Sequence, residues 1–459
     1  MSTNHLTRDD QLAGIGGASV PKSPSPALTL TAALLGFALI TLDASVVNVA
    51  LPAIGGSLGG GMSGLQWVVD AYTLAFAALM LSTGAFSDRA GASRAYALGI
   101  TVFTLASAAC GLAPNLPALI GARVVQGVAA AVVLPASLAL VRQAYADPAR
   151  RARAVAAWAA GGSVAVALGP VAGGALTTAW DWRGIFFINL PVGAVALALL
   201  VRAPRSQRRP APLDLPGQLT AIVALTALTF AVIEGGTTGL VASAVAVVAA
   251  ALFLRIEARQ AHPVVPLGLF RSRNVSVAVA AGAACSVAFY GVVFLFSLFF
   301  QQVQGRSALY AGLVFLPMSG LIGVTNLVSG KLAGRYGPRL PMLAGQVLAA
   351  AGLLGLLYVD GGTSPDAVAA LLVPMAVGCA LTVPPLTAAM MDAVPAERAG
   401  LAAGVLNAAR QVAGGLGIAV FGSLVADGFE AGMRMCLAIS AALFAATATA
   451  TARLRRTVA

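Results

Sequence analysis

The chain has 459 residues, 59% of them hydrophobic and only 10% charged, with a mean hydropathy of +0.89. A soluble domain carries about 25% charged residues, so the composition excludes a water-soluble fold and places the chain in lipid. Its net charge of +12 would suit a nucleic-acid partner if it were clustered, but the basic residues are distributed between apolar runs, which argues against that partner.

Residues 1–26 are polar and contain Gly, Pro and Ser. They lack the basic start and short apolar core of a cleaved signal peptide and read as a disordered cytoplasmic tail. Apolar segments long enough to span a bilayer as helices follow near 27–54, 65–86, 94–113, 117–141, 153–176 and 183–203. A second pair lies near 215–234 and 238–256. The last six lie near 274–303, 309–332, 339–359, 366–391, 400–425 and 430–451. The expected fold is all-α and membrane-integral: 14 transmembrane helices, arranged as two six-helix bundles (27–205 and 270–459) around linkers and a central two-helix insertion (206–269).

With the N-terminus in the cytoplasm, the even-numbered loops and the two tails hold nearly all the basic residues. Only Arg183, Arg306 and Arg434 fall outside, and Arg123 and Arg410 lie within spans. This is the asymmetry of the positive-inside rule. It favours fourteen spans over thirteen and puts both termini on the cytoplasmic side.

The segment Gly84–Arg94, GAFSDRAGASR, returns as Gly330–Arg339, GKLAGRYGPR. Gly84, Arg89 and Gly91 match Gly330, Arg335 and Gly337 at one offset of 246, and Gly334 stands in the place of Asp88. A polar, arginine-bearing loop repeated at that distance between apolar runs means two similar bundles, the construction of secondary transporters. Four charged residues lie inside spans: Asp43, Asp70, Arg123 and Arg410. Each costs roughly 2.5–3.5 kcal/mol to insert and is by default a candidate for transport, with a structural ion pair as the plainer alternative. Arg123, well inside span 4, needs a polar cavity or a carboxylate. Glu234, at the outer end of span 7, reads as a solvated cap.

Four signatures carry a family resemblance. GAFSDRAGASR is similar to the G-x-x-x-D-R-x-G-x-x-R loop of the major facilitator superfamily, with Gly84, Asp88, Arg89 and Gly91 at its defining positions. Leu119–Gly127 carries Arg123 and Gln126. Ala165–Gly174 resembles G-x-x-x-G-P-x-x-G-G through Gly169, Pro170, Gly173 and Gly174, with Ala165 in place of the first glycine. Leu42–Pro52, with Asp43 and Asn48, and the span-13 run Asn407-Ala-Ala-Arg410-Gln411 resemble the fourteen-span drug–proton antiporters of the EmrB/QacA type, which include methylenomycin exporters. Trp182–Pro191, with Asn189, is similar to the same group.

That resemblance implies a proton-driven exporter of amphipathic small molecules in a bacterial cytoplasmic membrane, working by alternating access as a monomer. The partners are then a drug-like substrate, protons and lipid. The loop of Asp88 and Arg89 becomes a latch between the halves. Arg123 is tied to proton transfer at Asp43, with Asp70 as a second acid, and the proline motif carries the direction of transport. Gly169 is expected to sit where the two halves approach. Asn48, Tyr72, Gln126, Tyr290, Asn407 and Gln411 are candidates for the substrate cavity, and Phe76, Phe289, Phe294 and Phe299 are either stacking or packing residues. A proton-coupled uptake symporter of the same fold is the alternative.

Other classes are excluded by what the chain lacks. Leu332 follows Gly330-Lys331 where a nucleotide-binding loop needs Ser or Thr. His5 and His262 are the only histidines, and Cys110, Cys285, Cys379 and Cys436 fall in apolar stretches at unrelated spacings. No disulfide framework, metal site or cofactor is expected, and no acid-bearing surface loop suggests a membrane enzyme.

Overall fold

The structure is a computed structural model, and it describes residues 25–201, 206, 214–260, 263, 265–394, 399–426 and 428–454. The tail through residue 24 lies outside the described residues, as do Arg202, Arg205, Arg208, Arg209, Arg398, Arg455, Arg456 and His262.

The described residues form α1 (Pro26–Leu58), α2 (Gly61–Ala90), α3 (Ala92–Gly111), α4 (Leu116–Ala144), α5 (Pro148–Ala179), α6 (Gly184–Phe187) and α7 (Asn189–Leu200). Then come α8 (Leu215–Glu234), α9 (Gly236–Glu257), α10 (Arg273–Leu298), α11 (Ala308–Val314), α12 (Leu316–Tyr336), α13 (Arg339–Leu356), α14 (Pro365–Asp392), α15 (Ala399–Ala426) and α16 (Phe429–Ala452). In lipid a helix is the one open-ended element that satisfies its own backbone.

Short polar residues set the starts. The side chains of Asn115, Asp147 and Asp214 accept from the backbone N–H groups of Ala118, Arg150 and Gly217 at 2.9, 2.7 and 2.7 Å, taking up donors that a first helical turn leaves free. Glycine sets the stops at the repeated loop. Gly91 (φ 86°) ends α2 and Gly337 (φ 76°) ends α12, a backbone region that favours glycine. The two occupy the same place in the repeat, so the loops share their turn as well as their letters.

Among the described residues, twelve helices are long and apolar enough to cross a bilayer. A thirteenth is α2, if Gly61–Met80 and Ser82–Ala90, which meet at 65°, form one span; Gly184–Leu200 is a shorter apolar piece. The span expected at 183–203 is thus two helices, α6 and α7, joined at Ile188.

One bundle packs α1 against α5, α4 and α7, and α2 and α3 against α4; the other packs α10 against α15, α14 and α16, and α13 against α14 and α16. The bundles meet where α2 touches α15, α5 touches α11 and α12, and α1 touches α10. Loop contacts define two faces. On the arginine-rich face, the Ser206 N–H donates to Ser93 Oγ at 3.1 Å and its hydroxyl to Gln143 Oε1 at 2.6 Å, and Arg339 donates to the Ala452 carbonyl. On the opposite face, Gln304 Nε2 donates to the Thr363 carbonyl at 2.8 Å.

The insertion rests on the outside of this body. α8 packs on α9, α2 and α15, and α9 leaves Leu240, Val241, Val247 and Val248 exposed, as a helix facing lipid does. Both ends of α8 are tied to α2. Gln218 donates to the Ala78 carbonyl and accepts from Ser82 Oγ, bridging the bend of α2. Glu234 Oε1 accepts from Ser63 Oγ at 3.0 Å and Trp67 Nε1 at 3.1 Å. Glu234 is exposed at the helix end, as the sequence suggested, and it also tethers α8 to α2.

Candidate transport site

Five helices, α1, α2, α3, α4 and α7, converge on one buried polar cluster in the first bundle. α4 presents Arg123 and Gln126 three residues apart, on one helix face. A Cβ on Gly127 would run into the Tyr72 carbonyl, so the glycine lets α4 lie close to α2, and Arg123 Nε donates to the Val68 carbonyl at 3.0 Å. Arg123 Nη1 donates to Asp43 Oδ2 of α1 at 2.5 Å and to Gln126 Oε1 at 3.0 Å. Both charged side chains are wholly buried.

The second carboxylate oxygen of Asp43 accepts from Asn189 Nδ2 of α7 at 2.7 Å and from Gln126 Nε2 at 3.3 Å. Ser107 Oγ of α3 accepts from the same two amides, at 3.2 and 2.7 Å, and Cys110 Sγ donates to Gln126 Oε1 at 3.1 Å. The Arg123 guanidinium lies 4.3 Å from the Tyr72 ring centroid, a cation–π distance. Ion pairing and hydrogen bonding together make two buried charges tolerable. Asn189, Ser107 and Cys110 are members that sequence reasoning did not place in the site. Asn189 stands out in the sequence only through the Trp182–Pro191 signature, and Ser107 only as a lone polar residue in an apolar run.

Asp70 has a different environment. It is fully buried in α2, neither carboxylate oxygen has a hydrogen-bond partner among the described residues, and Oδ1 lies 3.4 Å from a Cβ placed on Gly415 of α15. This acid therefore stands at the seam between the bundles. Beside it, Gln66 Nε2 donates to the Ala419 carbonyl across the same seam at 2.5 Å.

The proline-motif helix α5 touches both bundles. A side chain on Gly169 would strike Ser45 Oγ, and one on Gly173 would sit 2.6 Å from the Val46 carbonyl, both in α1 of the same bundle. A side chain on Gly174 would strike the Ala308 carbonyl of the other bundle, and Gly312 lies as tightly against the Pro170 carbonyl. Gly169 therefore does not hold the approach between the halves, as the sequence suggested; Gly174 does. The rotation of α5 decides this, and a motif does not encode it. At the arginine-rich face, Asp88 and Arg89 are exposed, and a Cβ on Gly84, Gly330 or Gly334 would meet nothing within 4 Å. No ion pair of Asp88 or Arg89 occurs among the described residues.

The remaining candidates divide by burial. Asn48 is enclosed, with Nδ2 donating to the Ala44 carbonyl at 3.3 Å, and Tyr72 is enclosed, its hydroxyl donating to the Ile40 carbonyl at 3.0 Å. Phe294 and Phe299 are wholly buried and Phe76 nearly so, which makes them packing residues. Tyr290, Arg410 and Gln411 are half-buried and Asn407 is exposed, so the second bundle supplies the more accessible polar positions. The four cysteines are free and buried, and no group of three or more potential metal ligands occurs among the described residues.

Two similar helical bundles, a turn repeated between them and an ion pair enclosed at membrane depth define a membrane transporter rather than an enzyme. Residues 33–418 match the family model of the Major Facilitator Superfamily, and the chain belongs to that family. It is 41% identical over 410 residues to the multidrug resistance protein Stp of Mycobacterium tuberculosis, covering 87% of this chain and 76% of that one. It is 38% identical over 422 residues to the methylenomycin A resistance protein of Streptomyces coelicolor, covering 89% of each. In fold it is similar to the crystal structure of a D-xylose–proton symporter, with a TM-score of 0.70 at 15% identity over 94% of this chain and 98% of that one.

Proposed function

We propose that this protein is a proton-driven exporter of amphipathic small molecules, working by alternating access through fourteen spans of a bacterial cytoplasmic membrane, with both termini in the cytoplasm. The observation that carries the reading is the enclosed Asp43–Arg123 pair. A carboxylate held by a guanidinium inside a membrane can exchange that partner for a proton, and the exchange loosens the contact between α1 and α4. Asp70, without a hydrogen-bond partner among the described residues at the α2–α15 seam, is the second protonation site. An unpaired charge there is costly to bury, so a proton on Asp70 favours the packed seam and its loss favours opening. The names of the relatives, multidrug resistance and methylenomycin A resistance, support export of drug-like molecules. The basic face supports the orientation. Packing between the bundles at Gly174 and Gln66, with exposed Asp88 and Arg89 at the other face, fits a state open toward the cytoplasm.

The test is transport by purified protein in liposomes under imposed pH gradients, with ethidium, 1-pyrenebutanol and 1-pyrenebutyrate as cationic, neutral and anionic probes. Antiport predicts that at least one probe moves against the direction of the proton gradient and reverses when the gradient is reversed. Movement in the same direction as protons would identify an uptake symporter instead.

A further inference from the structure

The chain holds two arginines deep in the membrane, and they are treated differently. Arg123 has a carboxylate, a backbone carbonyl, a glutamine and a ring face. Arg410 has no hydrogen bond, ion pair or ring contact among the described residues, and its Nε is enclosed without a partner. Arg410 lies eleven residues after Ala399, the first residue of α15, which at 1.5 Å per residue puts it about 17 Å into the span. That is the depth at which a cation costs most.

Among the described residues its own bundle offers no counter-charge at that depth: Asp360, Asp366, Asp392 and Glu430 lie in loops or at helix ends. In the other bundle Asp43 is bound to Arg123. Asp70 faces Gly415, five positions along α15 from Arg410, and five residues turn a helix by roughly 140° beyond a full turn. Arg410 therefore points away from Asp70, toward Gly282 of α10.

The position is nonetheless built to hold a guanidinium. A Cβ on Gly282 would lie 3.1 and 3.2 Å from Arg410 Cγ and Cδ, so the glycine makes room for the arginine stem. One turn back on the same helix, Asn407 is exposed, and Tyr290 and Gln411 nearby are half-buried. Polar side chains thus adjoin a cation that has no counter-charge among the described residues.

We infer that Arg410 binds an acidic group of the transported molecule, so that the preferred substrates are amphipathic anions, with Asn407 as the adjoining hydrogen-bonding side chain. The substrate carboxylate supplies the counter-charge that the fold withholds. The inference names the substrate class of the exporter proposed above, but its test is binding and does not depend on direction or on proton coupling.

The experiment compares 1-pyrenebutyrate with 1-pyrenebutanol, which share a skeleton and differ in charge, by fluorescence titration and thermal stabilisation of the purified full-length protein. Wild type is expected to bind the acid at least tenfold more tightly than the alcohol. Arg410→Gln is expected to lose that preference while keeping its affinity for the alcohol, and Arg410→Lys to keep part of it. Equal binding of acid and alcohol by wild type overturns the inference without any variant. Equal loss of both ligands in Arg410→Gln, recovered by adding Asp70→Asn, also overturns it, because Arg410 would then be the partner of Asp70. If the acid is preferred but never moves against a proton gradient, the inference stands and the exporter reading fails.

Discussion

Asp43 and Arg123 tolerate the membrane interior because of each other. Removing one partner of a buried pair costs about 3–5 kcal/mol, with the lower end expected here because an amide keeps the contacts to Asn189 and Gln126. Asp43→Asn should therefore lower the melting temperature in detergent yet still fold, and it should abolish proton-coupled transport. The double change Asp43→Asn with Arg123→Gln should recover the melting temperature and leave transport absent. Recovery of transport in the double variant would remove the pair from the mechanism. Asp70→Asn should raise the melting temperature at neutral pH, since the amide removes a buried acid that is costly to ionise there and has no partner to lose among the described residues. The need of Arg123 for a carboxylate was legible in the sequence, because an arginine well inside an apolar helix has few alternatives. The roles of Asn189, Ser107 and Cys110 were not, because neutral polar residues on α7 and α3 reach Asp43 only through the tertiary packing.

Among elements, α5 and α8 carry the clearest consequences. Gly169 packs against Ser45 within one bundle and Gly174 against Ala308 across the two. Gly169→Leu should destabilise the first bundle, whereas Gly174→Leu should part the bundles while each remains folded. Cysteines at Thr178 and Leu309, joined in the native chain by a hydrogen bond of 3.1 Å from the Leu309 N–H to Thr178 Oγ1, provide the readout. Their cross-linking should fall sharply in Gly174→Leu, and unchanged cross-linking would place the seam elsewhere. For α8, Gln218→Leu removes the hydrogen bonds that bridge the bend of α2. Increased hydrogen exchange at Ala78–Thr83, with the Glu234 end unaffected, is the expected result. Helix positions were readable from hydropathy to within a few residues. The break at Ile188 and the rotation of α5 were not, since an apolar run marks a span without marking which side faces a neighbour.

For the whole molecule, fourteen spans require that cysteines placed at Ser206 and Ser272 be labelled only from the cytoplasm and one at Gly361 only from outside. Labelling of Ser206 from outside would break the topology. If the substrate is an anion exchanged for a proton, each turnover moves charge in the direction that an inside-negative potential favours, at about 2.3 kcal/mol per charge per 100 mV. Export of 1-pyrenebutyrate should then accelerate with potential more steeply than export of 1-pyrenebutanol. The two-bundle plan was legible because a loop motif repeats at an offset of 246; the site between the bundles was not, because it depends on which helices meet.

Proton coupling through the acids of the first bundle is tested most directly by proton release from purified protein in weak buffer, on addition of whichever of the three probes the liposomes transport. Wild type should release protons on binding, in an amount that falls as pH rises past the point where the acids are already ionised. Asp43→Asn with Asp70→Asn should release none while still binding the probe. Undiminished release from that double variant would show that the exchanged proton sits elsewhere and would contradict the account.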